Sequence, residues 1–181
     1  TVEIPDTEKP VVRISPMVPV QDMKRIMNQY IDMIIAREEK NTPKLEVASE
    51  TKDFIAQNIL FHHFSTKEDA LNYLIDRQEF SDERLADKFR ASVWERERLQ
   101  STYLDNGFAI PHGSPEFVEK TAIAILILDK AINWGNQKVD ILILLMIKEE
   151  DIRKVEPVME LVMQGIEDKE WFISKMMEVK A

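Results

Sequence analysis

The apolar positions of this chain change their spacing as it proceeds, and those changes divide it into segments. Residues 10 to 16, Pro-Val-Val-Arg-Ile-Ser-Pro, read as a short strand, because β-branched residues are closed there by prolines that cannot donate to a ladder. From about 20 to 37, Met23, Ile26, Met27, Tyr30, Ile31 and Ile34 recur at intervals of three and four, which predicts an amphipathic helix. Asn41, Thr42 and Pro43 then punctuate the chain, placing a linker there and a domain boundary close to residue 44. Residues 1–43 form a segment too small to fold alone, and 44–181 form the main domain. Residues 54–64 have a mixed pattern. Ser65 and Glu68 carry the spacing of a capping box ahead of a helix over 67–77. Ser81, Asp82 and Glu83 open a second helix over 84–98, in which Leu85, Phe89 and Val93 repeat every four residues.

Past residue 106 the period shortens. Runs at 107–111, 121–128 and 139–147 are dense in Ile and Leu and suit strands buried on both faces. Asn133-Trp134-Gly135-Asn136 reads as the turn between the last two. Helical spacing returns at 156–164, with Pro157 in the first turn and Gly165 as a C-terminal stop, and again at 168–179. The expected fold class is α/β (α+β), a central mixed β-sheet flanked by helices on both faces, with a small N-terminal strand-helix appendage. Met23, Met27, Met159 and Met163 sit at helical spacing and read as core filler.

Composition narrows what such a fold does. Of 181 residues, 44% are hydrophobic and 31% charged, an ordinary globular balance, and the length suffices for a real core. A net charge of -9 repels phosphate backbones, so direct contact with nucleic acid is not expected. No apolar run is long enough for a membrane span, and the acidic, proline-bearing start is unlike a secretory signal. Cysteine is absent, which removes disulfides, thiolate nucleophiles and cysteine-ligated zinc from consideration. A cytoplasmic setting is the expectation. The initial Thr1 fits a processed start or a fragment of something longer.

Chemistry concentrates in residues 96–113. His112 lies between Pro111 and Gly113 at the end of an apolar run. Proline fixes the approach and glycine lets backbone come near a ligand, so the ring is expected to be presented rather than packed. A neutral imidazole is a competent nucleophile near neutral pH. A phosphoryl group would need donors, and Arg96, Ser101, Thr102 and the amides around Gly113 supply them. The bland alternative is a histidine that merely caps a strand. His62-His63, flanked by Phe61 and Phe64, reads as an aromatic-rich turn rather than a metal site, since neighbouring helix positions cannot both face one ion. Glu149-Glu150-Asp151 reads as a solvated helix entry. No metal or cofactor is expected.

The same stretch resembles the active-site signature of the fructose- and mannitol-type enzyme IIA domains of the bacterial phosphotransferase system. The matching elements are Arg96-Glu97, Ser101-Thr102, Asn106-Gly107 and Ile110-Pro111-His112. The likeness runs from about residue 50 to the end, where Ile132-Asn133-Trp134-Gly135 and Lys138-Val139-Asp140 look like the family's turn and following strand. The resemblance implies that His112 takes a phosphoryl group from the phosphocarrier protein HPr and passes it to a IIB partner. It makes Arg96 a charge clamp, with Glu97, Ser101 and Thr102 in support, and it implies phosphotransferase-type chemistry through a phosphohistidine. Transport members carry a second histidine where this chain has Ile152. Residues 10–35 look like the tail of a IIB-like domain, an arrangement similar to the C-terminal part of multidomain transcriptional activators and antiterminators. The expectation is therefore a regulatory IIA domain of a sugar-responsive regulator, joined to upstream regulatory domains. The alternatives are a transport component relaying phosphate for sugar uptake and a non-catalytic interaction module. The phosphoacceptor readings require His112 to be open to a partner and Arg96 to lie on the same side of the molecule.

Overall fold

The computed structural model describes residues 51, 52 and 55–180, so the strand, helix and linker expected before residue 44 lie outside the described residues. Strands β1 (Ile59–His62), β2 (Tyr103–Asp105), β3 (Phe108–Ala109), β4 (Ala122–Trp134) and β5 (Gln137–Met146) form one mixed sheet in the order β1-β4-β5-β3-β2. β1 runs parallel to β4, and β3 parallel to β5. The β4–β5 and β2–β3 pairs are antiparallel.

The two central strands explain why the sheet is covered on both sides. Successive side chains of a strand point to opposite faces. Ile123, Ile125 and Ile127 of β4 join Ile141, Ile143 and Leu145 of β5 in one buried cluster. Ala124, Leu126 and Leu128 join Leu142, Leu144 and Met146 in another on the reverse face. Helices α3 (Glu156–Glu167) and α4 (Lys169–Lys180) cover the first cluster through Met159, Val162, Phe172 and Met176. Helices α1 (Lys67–Asp76) and α2 (Glu83–Leu99) cover the second through Leu71, Leu74, Phe89 and Val93. The mixed sheet with helices on both faces is the architecture expected, and Met159 and Met163 are buried as core filler.

Several boundaries differ for identifiable reasons. The first helix is capped by Thr66, whose hydroxyl accepts from Asp69 N–H at 3.2 Å, rather than by Ser65 with Glu68. β1 is a short edge strand whose outer residues Phe61 and His62 are exposed, so it carries no alternating pattern to read. β4 continues through the exposed Asp129, Lys130 and Ala131 to Trp134, with a register shift between Ile127 and Ile132. The turn is thus confined to Gly135 and Asn136, and Trp134 pairs with Gln137. Gly165 does not stop its helix, which runs on to Glu167. A methyl group there would fall 2.7 Å from Phe172 Cδ2 and 2.9 Å from Phe108 Cζ. The glycine serves close packing between α3, α4 and β3.

Candidate functional site

The buried face of α2 ends in charge. Phe89 and Val93 face the core, and the positions three and four residues beyond Val93 on the same face are Arg96 and Glu97. Arg96 is only 4% exposed. Its Nη1 donates to Gln100 O at 2.7 Å, closing the helix end, while Nε has no hydrogen-bond partner among the described residues. Burial lowers the guanidinium's pKa, and the neighbouring Glu97 carboxylate opposes that shift. An arginine stays protonated regardless, so this is a fixed positive charge with a spare buried donor.

Glu97 is more fully engaged. Its Oε1 accepts from Thr102 N at 3.0 Å, Trp134 Nε1 at 2.7 Å and Lys67 Nζ at 3.2 Å, and Oε2 accepts from Thr102 Oγ1 at 2.6 Å. A buried carboxylate is tolerated when its oxygens are matched in this way. One consequence corrects an expectation. The single hydroxyl hydrogen of Thr102 is held by Glu97, so in this arrangement Thr102 does not offer it to a phosphoryl group. Ser101 is exposed, and its Oγ accepts from Tyr103 N at 3.2 Å.

The β2–β3 hairpin then carries the chain back towards the histidine. Asn106 and Gly107 take positive φ of 48° and 84°, the geometry of a two-residue hairpin turn, so this element of the signature has a structural task. Thr102 O accepts from Ile110 N at 3.1 Å, and Pro111 O accepts from Leu145 N at 3.0 Å, which fixes the segment against β5. His112 follows, bridged to Leu145. Its Nδ1 lies 2.9 Å from Ile110 O. A carbonyl only accepts, so Nδ1 carries the proton and Nε2 is the basic nitrogen of a neutral ring.

The ring is not presented as the Pro-His-Gly sequence suggested. His112 is 1% exposed. Gly113 is pressed on α2, where an added methyl group would fall 2.5 Å from Phe89 Cε2 and 2.7 Å from Ser92 Oγ, and Ser114 N donates to Ser92 Oγ at 2.9 Å. The glycine brings the helix close rather than a ligand. Arg96 lies one turn beyond Ser92 on the same helix, whereas the ring open to a partner that the phosphoacceptor readings require is not seen in this arrangement.

The structure therefore links Glu97, Thr102 and His112 through hydrogen bonds by way of Ile110, with Arg96 beside Glu97 at the helix end and Ser101 exposed next to Thr102. Sequence reasoning missed Ser92, Lys67 and the indole of Trp134. Only Ser92 left a readable signal, because it falls on the stripe defined by Phe89, Val93 and Arg96. Phe61 and His62 close strand β1 rather than forming a turn; His62 stacks on Phe64 with ring centroids 4.8 Å apart, and His63 Nδ1 lies 2.8 Å from Asp129 Oδ1. Glu150 pairs with Lys148 and Asp151 with Lys154 at the surface. Ile152 is half-buried and packs against the first apolar cluster. No described helix is long and apolar enough to cross a membrane.

Fold and site together define an α/β domain organised around a histidine at a strand end, braced by a buried arginine–glutamate helix terminus. The chain belongs to the family "Phosphoenolpyruvate-dependent sugar phosphotransferase system, EIIA 2", whose model matches residues 51–180. It is 41% identical over 56 residues to the transcriptional regulator ManR of Bacillus subtilis, a match covering 31% of this chain and 9% of that protein. It is 39% identical over 54 residues to the mannitol-specific phosphotransferase enzyme IIA component of Halalkalibacterium halodurans, covering 28% and 37%. The chain thus spans a small part of the curated relatives it matches. Among solved structures, the nitrogen regulatory protein IIA-Ntr of Neisseria meningitidis superposes with a TM-score of 0.55 at 19% identity, covering 71% of this chain and 91% of that one. The Escherichia coli complex of enzyme IIAMTL and phosphorylated enzyme IIBMTL gives 0.51 at 18%, covering 75% and 96%. These likenesses show the fold.

Proposed function

We propose that His112 accepts a phosphoryl group on Nε2 from a phosphohistidine of the carrier protein HPr, and that the domain regulates a sugar-responsive transcriptional regulator in the cytoplasm. The observation that carries the reading is the ring's hydrogen bond. With Nδ1–H donating to Ile110 O, the Nε2 lone pair attacks phosphorus, the donor's P–N bond breaks, and no proton has to leave the ring. The Ile110 carbonyl steadies the charge that develops on the imidazole. Arg96 contributes a buried cation with a donor to spare, suited to the transferred oxygens, and Ser101 supplies a rim hydroxyl. Glu97 and Thr102 act in support, holding the loop. Because the ring is enclosed, docking of the donor has to open the margin around it. Phosphorylation then adds about -1.5 to -2 charges, enough to alter how neighbouring domains dock.

The regulatory assignment is supported by the likeness to ManR, by Ile152 in place of a second histidine, and by the reading of residues 1–43 as a IIB-like tail ahead of the domain at 44–181. The likeness to the mannitol component, and the pairing of IIA with IIB in the Escherichia coli complex, favour instead a transport component that passes phosphate to a IIB subunit. Burial of the ring favours the interaction module. Incubating the chain with phosphoenolpyruvate and the general phosphotransferase proteins decides between them. An acid-labile, base-stable label that His112→Ala abolishes is the expected result, and its absence from the parent leaves only the interaction module.

A further inference from the structure

We infer that Trp134 and Lys67, distant from His112 in sequence, are positioning residues for the histidine, acting through Glu97 and Thr102; this rests on His112 being the phosphoacceptor. Four contacts form an unbroken line. The Trp134 indole N–H donates to Glu97 Oε1 at 2.7 Å, and Thr102 N donates to the same oxygen at 3.0 Å. Ile110 N donates to Thr102 O at 3.1 Å, and His112 Nδ1 donates to Ile110 O at 2.9 Å. Lys67 joins at the first station, 3.2 Å from Glu97 Oε1, with its ammonium 4.3 Å from the centre of the Trp134 ring.

The line is mechanical rather than electronic. The N–H and C=O of Thr102 belong to different amides, as do those of Ile110, so a charge on Glu97 does not polarise the chain through conjugation. What passes along it is position. Glu97 grips Thr102 by both backbone and hydroxyl, Thr102 sets the height of Ile110, and the Ile110 carbonyl sets the tautomer and plane of the imidazole. Trp134 and Lys67 fix where the carboxylate sits. Lys67 also neutralises a buried negative charge that would otherwise lie in a margin built to receive an anion. Trp134 comes from the end of β4 and Lys67 from the first turn of α1, so the histidine's orientation depends on residues from two elements other than its own segment.

Two variants test this. Trp134→Phe keeps the ring and deletes the indole donor, and Lys67→Met keeps the stem and deletes the charge. The control is Trp94→Phe, which deletes an indole hydrogen bond of similar kind, to Asn72 at 3.0 Å, outside the line. We expect the rate of phosphate uptake from the carrier to fall roughly 10- to 100-fold in the first two, as misplacement of a reacting group by about 1 Å commonly does, and to stay at the parent rate in Trp94→Phe. Lys67→Arg restores uptake where Lys67→Met does not. In the parent, the indole 15N–1H resonance of Trp134 shifts on phosphorylation while that of Trp94 stays in place, a response that a purely structural tryptophan would not give. Parent-rate uptake in Trp134→Phe, together with an unmoved indole resonance, overturns the positioning role while leaving His112 as acceptor. A parent chain that takes no label overturns both.

Discussion

Thr102 is held by Glu97 through two hydrogen bonds, and both atoms of the grip are buried. Thr102→Val removes the shorter of them and leaves a carboxylate oxygen short of a donor, so unfolding in urea should register a loss of about 1–3 kcal/mol. A second residue-scale expectation concerns Asp151. Its pKa is lowered chiefly by the Thr121 hydroxyl, which donates to Oδ2 at 2.6 Å, and then by Lys154. A depressed folded pKa contributes stability that is present above the unfolded value of about 3.9 and fades as pH falls through the folded one. Thr121→Val should therefore raise the Asp151 pKa in a carboxyl NMR titration and bring acid unfolding to higher pH. Individual side chains were unevenly legible in the sequence. Arg96 and Glu97 fall where the stripe of Phe89 and Val93 predicts burial, so their enclosure could be inferred from spacing. That Glu97 would meet an indole from position 134 could not, because the encounter depends on how far a hairpin arm curls.

Among the elements, the helices over 67–76 and 83–99 and the two long strands were readable because their apolar runs are strong and the helices open on polar residues, although the cap of the first proved to be Thr66 rather than Ser65. β1 was not readable, since a short edge strand with two exposed residues has no period to detect. Glycine misled twice: Gly113 and Gly165 were read for backbone freedom, whereas each makes room for an aromatic ring of a neighbouring helix. Gly107 is different, because it combines a positive φ with an Asp140 Oδ1 that would stand 2.4 Å from any Cβ. Gly165→Ala, which adds one methyl group to a filled interface, should cost about 1–3 kcal/mol in thermal or chemical denaturation. Gly107→Ala should cost at least as much, with the strain of a left-handed residue, about 1–2 kcal/mol, added to displacement of the Asp140–Lys169 pair.

On the scale of the whole molecule, the choice between regulator and relay turns on Ile152. A residue that packs against the apolar cluster offers no group to receive or stabilise phosphate on its way to a IIB partner. If the regulatory reading holds, the phosphorylated parent should hand its label to a IIB protein slowly, and Ile152→His should quicken the transfer. Equal rates would favour the transport reading. The doubly covered sheet has a further consequence. β4 and β5 present apolar side chains to both faces over most of their length, so a charge arriving at the margin finds no polar seam along which to spread through the interior. The slab behaves like a tabletop, with events at one edge leaving the rest undisturbed. Hydrogen–deuterium exchange should accordingly differ between the two phosphorylation states only across 96–114, the tip of the β4–β5 arm and the first turn of α1, and a protein that reads the domain's state would grasp it there.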